Sequence, residues 1–220
     1  MQLKAREALV RARVNLINST RLLLKSLGVF APSQVKATAF VRKLRPLLDN
    51  ASTSLVEPLL HSIDALSAQI KMLEDKLEEL ARIQYPDTER LKQISGVGPI
   101  TALFYILTLE SPARFPHNRD VGAYLGMVPR RHQSGDTDIP LPITKAGNTH
   151  LRCLLVNCAH YILGPFGPPS ALREAGLRIA AKGGKPAKKR AVIATARKLA
   201  VTMMALWKTG SVYQALPEAA

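Results

Sequence analysis

The 220-residue sequence is poor in cysteine, aromatics and acid: it has two cysteines, one tryptophan, 5% aromatic residues and 16 Asp plus Glu against 31 Lys plus Arg. Two cysteines exclude a disulfide framework. Cys153 and Cys158 stand five residues apart on an expected helix, with no nearby Cys/His set at zinc-finger spacing, so they read as small buried residues rather than metal ligands. Long apolar runs are also missing. Residues 22–24 and 100–109 fall far short of the ~20 residues needed to cross a bilayer. No signal peptide is visible, because Met1 leads directly into a charged amphipathic pattern.

The shortage of acid leaves a formal net charge of +15 and a pI near 10.2. Such a surplus calls for a polyanionic partner, either nucleic acid or an anionic membrane surface. With no spanning segment, nucleic acid is the better expectation and no membrane partner is assigned. The charge is uneven: net +9 over residues 1–45, −5 over 46–90 and +11 over 91–220. The middle segment is therefore not a nucleic-acid surface.

Its periodicity points to a different use. Leu59, Ile63, Leu66, Ile70, Leu73, Leu77 and Leu80 step alternately by four and three, the seam of a left-handed coiled coil. With Pro58 in a first turn and Pro86 past the end, a helix is expected over 57–84. Homotypic pairing into a dimer is the favoured reading, and an intramolecular hairpin with residues 36–50 is the alternative.

Before it, a helix over 3–27 stopped by Gly28 carries an apolar stripe of Leu3, Leu9, Val10, Leu16, Ile17, Leu23, Leu24 and Leu27. Lys4, Arg6, Arg11, Arg13, Arg21 and Lys25 occupy the rest. This helix either lies on a membrane surface or packs on a neighbour with its arginines turned to nucleic acid.

Two segments carry candidate chemistry. Ile94-Ser95-Gly96-Val97-Gly98-Pro99-Ile100-Thr101 reads as helix, glycine turn, helix, with Pro99 suited to a first helical position. Free amides at such a helix start can hold phosphate, which makes Gly96, Val97, Gly98 and Thr101 candidate nucleic-acid contacts. An ordinary link between packed helices is the other reading. The second segment, Arg130-Arg131-His132-Gln133-Ser134-Gly135-Asp136, reads as a polar loop between helices, followed by Pro140 and Pro142. Arg130 and Arg131 can hold a phosphodiester, and Lys145 adds a cation before the helix 150–163. Ser134 reads either as a plain turn residue or as a nucleophile whose attack on phosphorus the arginines assist. His132, His150 and His160 read as packing or phosphate-contacting residues.

Near the C-terminus, Lys182, Lys185, Lys188, Lys189 and Arg190 form an expected flexible basic segment before a helix over 191–208. Lys185, Lys188, Lys189 and Arg190 are assigned to nucleic-acid binding. Trp207 and Tyr213 either stack on bases or close a core.

Taken in order, residues 94–102, Arg114-Phe115, residues 121–129, Gln133-Ser134-Gly135, residues 143–148 and Leu151-Arg152 resemble the C-terminal domain of DEDD-class insertion-sequence transposases, related to the Piv DNA invertase. The resemblance is strong over residues 91–177. It implies DNA transposition or site-specific recombination, with Ser134 as the nucleophile joined to DNA and Gly135 shaping its loop. It also implies a structured guide RNA, often called bridge RNA, dimerisation through the coiled coil, and a cytoplasmic, nucleoid-associated place in a prokaryote. Members of that family begin with a RuvC-like domain holding divalent metal by three aspartates and a glutamate. Residues 1–45 contain only Glu7 as an acid, so the resemblance implies the C-terminal part of a longer protein, with no cofactor in this chain and magnesium in the other domain. The alternative is a remnant that binds DNA or RNA without catalysis. The expected architecture is all-α: a basic segment over 1–45, a coiled-coil arm over 46–86 and a compact domain over 87–220.

Overall fold

A computed structural model describes residues 1–134 and 137–216, with backbone only for 132–134 and 137–140. The chain divides into two compact units, Met1–Glu79 and Leu80–Ala220. Residues 1–45 and most of the expected arm thus share one unit, with no break between them.

The first unit contains helix α1 (Gln2–Ser26), the short helix α2 (Phe40–Leu44) and most of the long helix α3 (Asn50–Gln84). The start of α3 is seven residues earlier than Pro58 suggests. Asp49 accepts a hydrogen bond from the Ser52 amide at 2.8 Å, an N-cap that begins the helix there. Pro58 consequently lies inside α3, where it removes one ladder bond.

One face of α3, including Ile63 of the expected seam, is covered within the chain. Ile17 and Leu24 of α1, Phe40, Val41 and Leu44 of α2, and Val56, Leu60 and Ile63 of α3 form one buried cluster. Arg6 Nε donates to Glu74 Oε1 at 2.8 Å and Arg13 Nη1 to Ser67 Oγ at 3.3 Å, so α1 runs antiparallel to α3. The partner in this hairpin is α1 as well as the 36–50 region. Ile63, Ile70 and Leu77 are buried, while Leu59, Leu66, Leu73 and Leu80 are only partly covered.

This packing also corrects the reading of α1 as a basic face. Arg13 is buried, its pKa lowered chiefly by desolvation, and Arg21 bonds the Pro32 carbonyl while lying over the Phe40 ring. With Arg6 on Glu74 and Arg11 on Glu7, four of its six cations have partners inside the unit.

The second unit is also chiefly helical, with α4 (Asp87–Lys92), α5 (Pro99–Leu109), α6 (Asp120–Tyr124), α7 (Thr149–Leu163), α8 (Ala171–Ala180) and α9 (Gly184–Thr209). Its core draws on Tyr105, Ile106 and Leu109 of α5, Leu151, Leu155 and Ile162 of α7, and Leu199, Met203 and Met204 of α9. The buried Tyr105 hydroxyl donates to the Ala200 carbonyl at 2.7 Å. Trp207 packs on this core and donates to Asp87 at 3.1 Å, and Tyr213 packs on it too, so both close a core rather than offer free rings.

Two expectations are overturned here. Residues 182–190 are not a flexible segment, since α9 begins at Gly184 with Pro186 in its first turn. Ala187 and Ala191 are buried, and Gly176 of α8 sits so close that an added Cβ would lie 2.3 Å from Thr195 Oγ1. Small residues one turn apart let these helices pack tightly, and that packing extends the helix through the lysines. The fold is mainly helical as expected, with one two-stranded sheet among the described residues. Strands β1 (Pro129–Ser134) and β2 (Thr137–Ile143) form an antiparallel hairpin where a loop was expected. Ile139, Leu141 and Ile143 alternate with prolines at a period of two, a strand signal. The irregular register between Pro129 and Arg131 accommodates Pro142 at a bulge in a two-stranded sheet.

Candidate nucleic-acid interface

The glycine turn sits between α4 and α5. Gly96 has φ 93°, a left-handed conformation open to glycine, and an added Cβ would meet the Tyr161 ring at 2.8 Å. Gly98 is different. It is the N-cap of α5 with φ −88°, and a Cβ there would meet nothing within 4 Å. Its glycine is therefore not required by internal packing. Pro99 opens α5, and the amides of Ile100 and Thr101 begin the helix without helical partners.

Val97 and Thr101 are drawn inward. Val97 is 6% exposed within the core, with its amide on the Ile94 carbonyl, and the buried Thr101 hydroxyl accepts a weak bond from Cys158 Sγ at 3.9 Å. Both side chains are largely buried, and both still line the floor of a shallow open cavity with Gly96, Gly98, Asn157 and Tyr161. Burial raises the Cys158 thiol pKa. Cys153, expected to be buried, is exposed. His150 packs edge-on against Phe104, and His160 is exposed.

The hairpin stands on a tightly closed base. The chain enters through residues 126–128 and leaves through 144–147. Thr144 N donates to the Val128 carbonyl at 2.9 Å and Lys145 N to the Gly126 carbonyl at 3.0 Å. Added Cβ atoms at Gly126 and Gly147 would lie 2.2 Å from Ala146 N and 2.1 Å from Tyr124 O, so backbone meets backbone at this point. Arg152, in the first turn of α7, bonds the carbonyls of both segments: Nη1 donates to Leu125 O at 3.0 Å and Ala146 O at 2.7 Å. Asn148 caps α7 by accepting from Leu151 N at 3.0 Å.

Ser134 closes β1, its backbone paired with Thr137. Gly135 lies outside the described residues, and the side chains of Ser134 and His132 are likewise outside them. Arg130, Arg131 and Lys145 are exposed. Adjacent strand residues leave on opposite faces, so Arg130 and Arg131 do not make one fork. Lys145 has φ 59°, an unusual conformation for a side-chain-bearing residue.

One helix serves both segments. The first turn of α7 holds the hairpin base through Arg152, and its last turns back the glycine turn through Cys158 and Tyr161. The two places are separated by roughly 13 Å along the helix axis. Lys185, Lys188, Lys189 and Arg190 are exposed on the first turns of α9, in the α8–α9 hairpin. Sequence reasoning missed the roles of Gly126, Gly147 and Arg152. Their signal was a glycine on each side of the hairpin followed by an arginine, legible only once the two ends were known to meet.

Residues 88–174, which hold the glycine turn, the hairpin and α7, match the family described as the transposase IS116/IS110/IS902 family. Over these residues the chain is similar to the transposases of insertion sequences. It is similar to the transposase for insertion sequence element IS1111A of Coxiella burnetii, 32% identical over 167 residues, covering 73% of this chain and 45% of that protein. It is also similar to the transposase for insertion sequence element IS1328 of Yersinia enterocolitica, 30% identical over 162 residues, covering 71% of this chain and 47% of that one. The Sinorhizobium fredii protein y4rJ, 31% identical over 232 residues, matches 93% of this chain and 55% of its own length. The chain spans about half the length of the curated relatives it matches.

Proposed function

We propose that this chain is the strand-joining part of an insertion-sequence transposase, binding DNA and using Ser134 as the nucleophile of recombination. The observation that carries this reading is the hairpin Pro129–Ile143: it is anchored at its base to α7, has Ser134 at the end of β1, and lies wholly inside the family-matched region. In the proposed step the seryl oxygen bonds to phosphorus and the bond from phosphorus to a sugar oxygen breaks. The hydroxyl proton passes to solvent, and the departing oxygen takes up another. One phosphate ester replaces another, so the linkage is kept for rejoining to a new strand. Arg130 and Arg131, on opposite faces of β1, and Lys145 supply the positive field that draws the DNA backbone to the hairpin.

Magnesium in this reading belongs to a carboxylate-bearing domain elsewhere in the transposase. Among the described residues no group of three or more His, Cys, Asp or Glu stands close enough together to hold a metal ion. No helix is long and apolar enough to cross a membrane among these residues. A structured guide RNA is the proposed second polyanion, held by Lys185, Lys188, Lys189 and Arg190. A second copy of the chain is the proposed cover for the partly exposed leucines of α3.

Binding without chemistry is favoured by a different observation, the open space over Gly98, which admits a phosphate backbone and needs no serine. The two readings separate when the chain is combined with the carboxylate domain, guide RNA and DNA ends, and Ser134 is compared with Ser134→Ala. Covalent protein–DNA product is expected from the serine form alone. Equal product from both removes the nucleophile and leaves the binding role.

A further inference from the structure

Arg152 is 8% exposed, and the oxygens that receive its guanidinium are neutral: the Leu125 and Ala146 carbonyls and Thr149 Oγ1, the last at 3.1 Å. A buried cation held this way gives little net stability over an apolar side chain of similar size. Its placement is more specific than its energetics. Leu125 lies on the segment entering the hairpin and Ala146 on the segment leaving it, and one nitrogen bonds both. A two-stranded ribbon is marginal by itself, so its attitude must be set where it is rooted.

We infer that Arg152 is the positioning residue for the hairpin: it fixes β1 and β2 relative to α7 by tying together the two chain segments at their base. This inference rests on the reading that Ser134 does the chemistry only insofar as the hairpin is what must be aimed. The geometry needs the planar fork of arginine, whose donors lie in fixed directions; a lysine ammonium supplies charge without that fixed geometry.

The test is native amide exchange by NMR on the 220-residue chain, comparing Arg152→Met and Arg152→Lys with the parent. Loss of charged hydrogen bonds at the base is expected to speed exchange at Thr144 and Lys145 by roughly 10- to 100-fold in Arg152→Met. Leu155 in α7 and Leu199 in α9 should stay within about threefold. Arg152→Lys, which keeps charge and stem if the methionine variant does not fold, should show the same local pattern at smaller amplitude. Unchanged exchange at the base, or an equal rise throughout α7 and α9, overturns the inference. In the reconstituted transposase, Arg152→Met should lower covalent capture while DNA affinity stays at the parent level; undiminished capture also overturns it. Ser134→Ala should keep the parent exchange pattern. If that variant still captures DNA, the nucleophile reading falls while the clamp is judged on exchange alone.

Discussion

At the residue scale, the two glycines of one short turn have separate reasons to be glycine. Gly96 needs its left-handed backbone and the space taken by Tyr161, whereas Gly98 has an ordinary φ and open surroundings. Gly96→Ala is therefore expected to destabilise the fold by about 1–2 kcal/mol. Gly98→Ala should change stability by no more than about 0.5 kcal/mol while weakening binding to DNA. Thermal melting and a binding titration on both variants check this, and a melting loss at Gly98 as large as at Gly96 would refute the distinction. The pair was legible in sequence as a turn before a helix. Their different duties were not, because the ring that crowds Gly96 comes from α7, sixty-five residues onward. Val97 and Thr101 show the same limit: local sequence placed them beside the turn, and only the packing shows how little of each side chain reaches the shallow cavity they line.

At the element scale, α9 illustrates how packing overrides local composition. A run of lysines with two glycines and a proline reads as loose chain, yet Ala187 and Ala191 are buried and the helix begins at Gly184. The cations then occupy the positive end of a helix dipole with no acid in the first turn, an arrangement that favours an anionic partner. Replacing Lys188 and Lys189 together with glutamine should leave helix content intact. It should also lower the slope of log affinity against log salt by about 2 for duplex DNA or structured RNA. Binding that ignores salt in the parent chain would remove the electrostatic basis altogether. The β-hairpin was misread because charged residues and prolines obscured its alternation. Its α7 anchor joins Leu125 and Ala146, twenty-one residues apart, beyond what a local pattern carries.

At the scale of the whole molecule, the second unit depends on buried groups whose ionisation links its stability to pH. Burial raises the Tyr105 phenol well above its ordinary pKa of 10.0. Below pH 10 both folded and unfolded chains keep this proton and the group adds no pH dependence. Above it the unfolded chain releases the proton while the folded chain retains it, so stability falls as pH rises. Melting of the parent chain should drop between pH 9 and 11 by more than in Tyr105→Phe, which loses about 1 kcal/mol at neutral pH with its hydrogen bond to Ala200. Equal pH slopes would show that Tyr105 does not govern the alkaline loss.

The sequence by itself determined the basic character, the main helices, the glycine turn and the kinship to insertion-sequence transposases, because charge, periodicity and ordered motifs are properties of the chain read locally. Tertiary structure decided which of those residues remain outside. It paired Arg6 with Glu74, buried Arg13, laid α1 against one face of α3, drew the lysines into α9 and rooted the hairpin on Arg152. The physical reason is that burial and hydrogen-bond pairing are settled between segments far apart in sequence, where no local pattern records the partner.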